Sequence, residues 1–147
     1  MNDDLYKKLH GFYVEDLKLG QEAFLSKTIT EADIVNFSGV TGDTNPVHLS
    51  DEFAKKTIFK KKVAHGFLTA SFISTLIATK LPGPGSIYLG QSLKFLAPVF
   101  VGDTLTVKVK IKNIDLETKK VLLLTECFKL DKKILTGEAE ILVDSKK

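Results

Sequence analysis

The stretch that most constrains this chain runs from Gly66 to Leu81 and reads GFLTASFISTLIATKL. Phe67, Leu68, Phe72, Ile73, Leu76, Ile77 and Leu81 cover most of a helical circumference, relieved only by Ala, Ser and Thr until Lys80. A surface helix needs a polar face, so the pattern predicts a helix buried by the rest of the chain. Pro82-Gly83-Pro84-Gly85 ends it sharply. With 147 residues, the chain has room for one domain, and the same core must enclose that helix.

What encloses it reads as sheet. Gln21 to Thr28 favours a first strand, and Ser86 to Leu96 supplies another that ends at Pro98. Leu105, Val107, Val109 and Ile111 alternate with Thr104, Thr106, Lys108, Lys110 and Lys112, the pattern of a strand with one wet face. Val121 to Leu130 is more uniformly apolar and follows a turn around Glu117-Thr118-Lys119. Leu135, Gly137, Ala139, Ile141 and Val143 alternate with Thr136, Glu138 and Glu140 in the last strand. Short turns imply antiparallel neighbours. About five strands curved around one helix make an α+β arrangement, a single domain over residues 1–147 with its core near 20–144.

Between the first strand and the long helix the chain is mixed. Thr30-Glu31-Ala32-Asp33 has the form of a capping box, and a helix should follow through Ile34, Val35 and Phe37 to end near Gly39 or Gly42. Gly42-Asp43-Thr44-Asn45-Pro46-Val47-His48 then predicts a tight irregular loop, since Pro46 drives Asn45 from the helical region. Ser50-Asp51-Glu52-Phe53 looks like the capped start of a short helix.

Composition narrows the function classes. The net charge of +3, from 21 basic and 18 acidic residues, falls short of the basic stripe expected for nucleic-acid binding. The N-terminal charges interrupt any signal-peptide core, and no apolar run is long enough to span a membrane, so the expected location is the cytoplasm. The single cysteine, Cys127, lies in an apolar stretch and reads as a buried structural residue. His10, His48, His65 and Cys127 lack the spacing of a zinc site, so no metal is expected, and no phosphate-cradling glycine loop is present. Lys55-Lys56 and Lys60-Lys61-Lys62 read as a solvated loop or as a landing patch for a phosphorylated ligand.

Asp43 and His48 stand five residues apart across a turn broken by Pro46, so their side chains can converge on one water without helical spacing. A carboxylate and an imidazole so placed can orient a water and move its proton. An Asp that opens a turn and a lone His also have ordinary structural roles, and Asn45 has the natural role of bonding its own turn backbone. Gly66 starts the long helix, where unpaired backbone N–H groups and the helix dipole favour developing negative charge. His65 beside it reads as a histidine hydrogen-bonded to backbone at the start of that helix.

Three stretches together resemble one family. Gly42-Asp43-Thr44-Asn45-Pro46-Val47-His48 is similar to the Asp-x-Asn-Pro-x-His motif of R-specific enoyl-CoA hydratases and related MaoC-like dehydratases. Val63-Ala64-His65-Gly66-Phe67-Leu68 resembles the beginning of their central helix. Gly85 to Phe95, followed by Pro98-Val99-Phe100-Val101-Gly102-Asp103, resembles the strand and turn after it. The likeness extends from about Gln21 to Val143.

The resemblance implies a hot-dog fold, an antiparallel sheet wrapped around a helix, and usually a homodimer. It implies reversible hydration of a trans-2-enoyl-CoA to an (R)-3-hydroxyacyl-CoA. Asp43 and His48 would be catalytic, and the Gly66 N–H would hold the thioester enolate. Asn45 and Ser74 would support the site, and Phe72, Ile73 or Ile77 would line the acyl tunnel. No cofactor is implied, because the CoA thioester is the substrate. How the two catalytic residues divide the protons stays open. A dehydratase acting on acyl carrier protein thioesters, or a domain that only binds acyl-CoA, would share the fold. The Asp43, Asn45 and His48 set argues for chemistry over binding alone.

Overall fold

The computed structural model describes residues 1–147. A first helix, α1 (Asp3–Leu9), leads through a single 3-10 turn to strand β1 (Glu22–Thr28). The capping box at Thr30 then forms as the sequence predicts. Thr30 Oγ1 accepts the Asp33 N–H at 3.1 Å, and Asp33 Oδ2 accepts the Thr30 N–H at 2.8 Å. It opens α2 (Glu31–Thr41), which ends at Gly42 with φ of 75°, a left-handed conformation that suits glycine.

The expected irregular loop is shorter than predicted. Asn45 Oδ1 accepts the Val47 N–H at 3.2 Å and, with Pro46 at the first helical position, starts a single helical turn, α3 (Pro46–Leu49). His48 therefore sits on a helical turn, held more firmly than a loop residue would be. Ser50 caps α4 (Asp51–Ala54) by accepting the Phe53 N–H at 3.2 Å.

The long helix α5 (Gly66–Thr79) buries Leu68, Thr69, Ile73, Leu76 and Ile77. It packs chiefly on β4 (Thr104–Asp115), then on β1 and on β5 (Lys120–Lys129). The prediction of all-round burial is corrected here. Phe67, Ser71, Ser74, Thr75 and Ala78 face outward in the single chain, and Phe67 is 66% exposed. The outer face is made mostly of small and hydroxyl residues, which lose little by meeting water, so the helix does not need a closed wrapping.

The sheet has six antiparallel strands in the order β1-β4-β5-β6-β2, with β3 (Lys94–Phe95) also pairing with β6 (Lys132–Leu142). The stretch from Ser86 to Leu96, expected as one strand, is two. β2 (Ile87–Gln91) and β3 are separated because the Ser92 N–H donates to Glu138 O at 2.9 Å while the Glu138 N–H donates to Ser92 Oγ at 2.9 Å. Gly137 permits this crossing, since a Cβ there would lie 1.8 Å from the Ser92 carbonyl oxygen. Bulges in β4, β5 and β2 add to the curvature of the sheet.

Leu105, Val107, Val109 and Ile111 of β4 point inward with Val121, Leu123 and Cys127 of β5 and Leu135, Ala139 and Ile141 of β6. Cys127 is fully buried, in keeping with a structural role. The helix in a curved antiparallel sheet is the hot-dog arrangement the resemblance implies. No helix is long and apolar enough to cross a membrane.

Candidate active site

Asp43 follows the left-handed Gly42, and its own N–H donates to Thr41 Oγ1 at 3.1 Å. This turns the carboxylate away from α2 toward α3, leaving Asp43 exposed. His48 is half-buried, and its Nδ1 lies 2.7 Å from the Val63 carbonyl oxygen. A carbonyl can only accept, so Nδ1 carries a proton and, in the neutral ring, Nε2 presents a lone pair. One atom from each of Asp43, His48 and His65, a carboxylate oxygen of Asp43 and a ring nitrogen of each histidine, lies within 4.8 Å of the other two. The two residues that the sequence offered for water chemistry thus meet.

His48 and Asn45 open onto a cavity of about 520 Å³, walled mainly by Phe59, Phe67, Phe95, Leu96, Val99 and Leu135. Gly66 also lines it, and no side chain caps the start of α5. The first amides of that helix are therefore free to meet a ligand oxygen. A Cβ on Gly66 would come within 2.7 Å of the Phe95 ring, so glycine keeps both the amide and the aromatic wall in place. An apolar cleft with one imidazole and a helix terminus at one end suits a linear acyl group whose polar head lies at the helix.

Some expected residues lie elsewhere. Phe72, Ile73 and Ile77 do not line the cavity. Ile73 and Ile77 sit on the sheet-facing stripe of α5 and fill the core, while the cavity lies beyond the helix start against β3 and β6. Ser74 is on the outward face of α5, about 12 Å along the axis from Gly66. Within one chain it neither lines the cavity nor bonds back to the helix, although Thr75 and Thr79 do make such bonds. Asn45 has both of its possible roles, since it caps α3 and borders the cavity.

Sequence spacing suggested no metal cluster, yet the fold brings Asp43, His48 and His65 together from two distant segments. Their geometry suits a cation poorly. The His48 and His65 rings stack with centroids 3.8 Å apart and planes 30° apart, an arrangement of packed rings. His48 Nδ1 and His65 Nε2 are each directed at a backbone carbonyl oxygen. The aromatic wall of Phe59, Phe67 and Phe95 had no sequence signal, because its members come from three separate elements or loops.

The lysine run divides in space. Lys62 pairs with Glu31 at 2.9 Å, Lys61 lies 4.1 Å over the Phe100 ring, and Lys55 and Lys56 flank a shallow hollow beside α4. Only Lys62 is committed to an ion pair, which also includes Asp51 at 3.9 Å.

Comparison with known proteins agrees with this fold. The family model described as "MaoC like domain" matches residues 17–126. The (R)-specific enoyl-CoA hydratase of Rhodospirillum rubrum is 48% identical over 144 residues, 98% of this chain and 97% of that protein. The solved R-hydratase PhaJ1 from Pseudomonas aeruginosa, in its unliganded form, superposes with a TM-score of 0.86 at 42% identity, covering 92% of this chain and 88% of that one. The (R)-hydratase from Aeromonas caviae involved in PHA biosynthesis gives a TM-score of 0.85 at 41% identity, covering 88% and 98%.

Proposed function

The chain belongs to the MaoC-like family, and from that premise we propose that it is an (R)-specific enoyl-CoA hydratase in which Asp43 and His48 work one water. It adds water reversibly across the double bond of trans-2-enoyl-CoA to give (R)-3-hydroxyacyl-CoA. The observation that carries the residue assignment is the approach of the Asp43 carboxylate to within 4.8 Å of His48, which lines an apolar cavity together with Gly66.

A water between a carboxylate and the lone pair of His48 Nε2 donates one hydrogen to each, which leaves an oxygen lone pair free. That lone pair attacks C3 of the enoyl thioester, made electrophilic by conjugation with the carbonyl. One water proton stays on the new hydroxyl. The pair carries the other to C2 on the same face, so addition is syn. Charge gathers meanwhile on the thioester oxygen, where the Gly66 N–H at the helix start stabilises it. Only water and thioester are consumed and no electrons change hands, so the chemistry calls for no redox cofactor.

The assembly that fits this reading is a homodimer. β2 forms one edge of the sheet, and its Ile87 and Leu89 are about half exposed. Pairing with a second copy would cover that edge. Ser74 joins the site only in such an assembly, since within one chain it faces outward. The cytoplasm is the compartment that suits a CoA-dependent enzyme.

Incubation with crotonyl-CoA, followed by chiral analysis of the product, tests the proposal. Loss of the enoyl thioester absorbance with formation of the R alcohol is expected. An S product, or turnover confined to carrier-protein thioesters, would overturn it.

A further inference from the structure

His65 is the most buried polar side chain at the site, only 2% exposed, and the mechanism above makes no use of it. Its Nε2 lies 3.0 Å from the backbone carbonyl oxygen of Asp43 and 3.1 Å from Ser38 Oγ. The carbonyl can only accept, so Nε2 must carry the proton, shared between the two oxygens. No backbone N–H donates to the Asp43 carbonyl, which leaves His65 as its hydrogen-bond partner in the chain. Nδ1 is buried with no partner, so a proton there would find no acceptor and the ring donates through Nε2 alone.

One face of the same ring stacks on His48, with centroids 3.8 Å apart, and Phe37 packs on it with centroids 4.8 Å apart. The ring therefore ties α2, through Ser38 and Phe37, to the backbone of Asp43, to His48 on α3 and to the start of α5. The two groups that must grip one water are both set against this single ring.

We propose that His65 is a positioning residue: its Nε2–H pins the backbone of Asp43, beside the ring's packing on His48, and this pin sets the distance across which the water is held. The proposal rests on the hydratase reading above. The ring carries the desolvation cost of one orphaned nitrogen at Nδ1, and its Nε2–H satisfies the Asp43 carbonyl in return. The donor on Nε2 is the feature that an apolar replacement would lose.

His65→Phe keeps a ring of similar outline and removes the donor, whereas His65→Gln places an amide N–H near the Nε2 position and removes the ring. In crotonyl-CoA hydration, His65→Phe should lower kcat about 10- to 100-fold with KM little changed, as expected for reacting groups displaced by a fraction of an ångström to 1 Å. His65→Gln should recover most of that loss. Equal impairment of the two variants, a loss that appears mainly in KM, or wild-type turnover in His65→Phe would overturn the proposal.

Nitrogen-15 spectra of labelled histidines in the wild-type protein give a reading that survives a variant's failure to fold. They should show His65 protonated on Nε2 and His48 on Nδ1. The opposite tautomer at His65 would equally overturn the assignment. Wild-type protein inactive on crotonyl-CoA would instead defeat the hydratase reading, and the tautomers would still report on the positioning contact.

Discussion

If Asp43 and His48 hold the same water, removing both should cost little more than removing one. Each single change removes an acid–base partner and should lower turnover about 100- to 10,000-fold. That range is about 2.7 to 5.4 kcal/mol of barrier, at about 1.36 kcal/mol per factor of ten. The structure separates this loss from unfolding. The Asp43 carboxylate is exposed and accepts one long bond, from the Asn45 N–H at 3.4 Å, so Asp43→Asn should cost below about 0.5 kcal/mol of stability.

His48→Gln breaks the 2.7 Å bond to Val63 and leaves that carbonyl unmatched, for about 1–3 kcal/mol. Both costs are small beside the roughly 5–15 kcal/mol that holds a domain folded. The assay is the initial rate of crotonyl-CoA hydration by wild type, both singles and the double, with urea midpoints as the folding control. The double variant should resemble the slower single, because a partner acting on an absent or misplaced water has nothing left to contribute. Losses that multiply would show that the two residues act on separate events, and a folded single variant with wild-type turnover would remove that residue from the site.

Three further outcomes follow from packing and charge. Gly137→Ala sets a Cβ 1.8 Å from the Ser92 carbonyl oxygen and must part the paired Ser92 and Glu138 bonds. It should destabilise the fold by about 2–4 kcal/mol in urea titration, whereas a cost near zero would contradict the crossing described. Burial pushes the Cys127 thiol up to about 12, so a thiol reagent at pH 8 should leave native protein unlabelled and react fully only after denaturation.

Burial works against ionised Asp103, but Lys129 at 2.6 Å and the Phe100 N–H at 2.9 Å outweigh it and hold the carboxyl below its ordinary range. A depressed carboxylate stabilises the fold above its unfolded pKa, near 3.9, and loses that contribution as pH falls through the folded value. Asp103→Asn should therefore cost about 1 kcal/mol at pH 7, and the gap to wild type should close toward pH 2. A gap that stays constant with pH would show that the ion pair is not its source.

Much of this protein was legible in one dimension because it rests on local rules. The capping box at Thr30, the alternation along β4 and the apolar run of α5 are periodic or adjacent patterns, and each formed where the sequence placed it. Asp43 and His48 were legible because the residues that position them, Gly42, Asn45 and Pro46, lie within the same short motif. The motif brings them near one another, and the distant Val63 and His65 then hold them in place.

Where a residue's role depends on contacts between distant segments, the sequence was silent or misleading. Ile73 and Ile77 look the same in sequence as residues that could line an acyl tunnel, and only the packing of α5 on β4 assigns them to the core. The split between β2 and β3 depends on Gly137 meeting Ser92 across 45 residues. His65 and Asp43 are 22 residues apart, and their hydrogen bond exists only because α2 and the start of α5 are brought side by side. Sequence determined which local shapes and reacting groups the chain carries, since these depend on neighbours along the backbone. Tertiary structure alone decided which groups share a wall, a ring face or a proton, since those depend on burial and on distances that no spacing encodes.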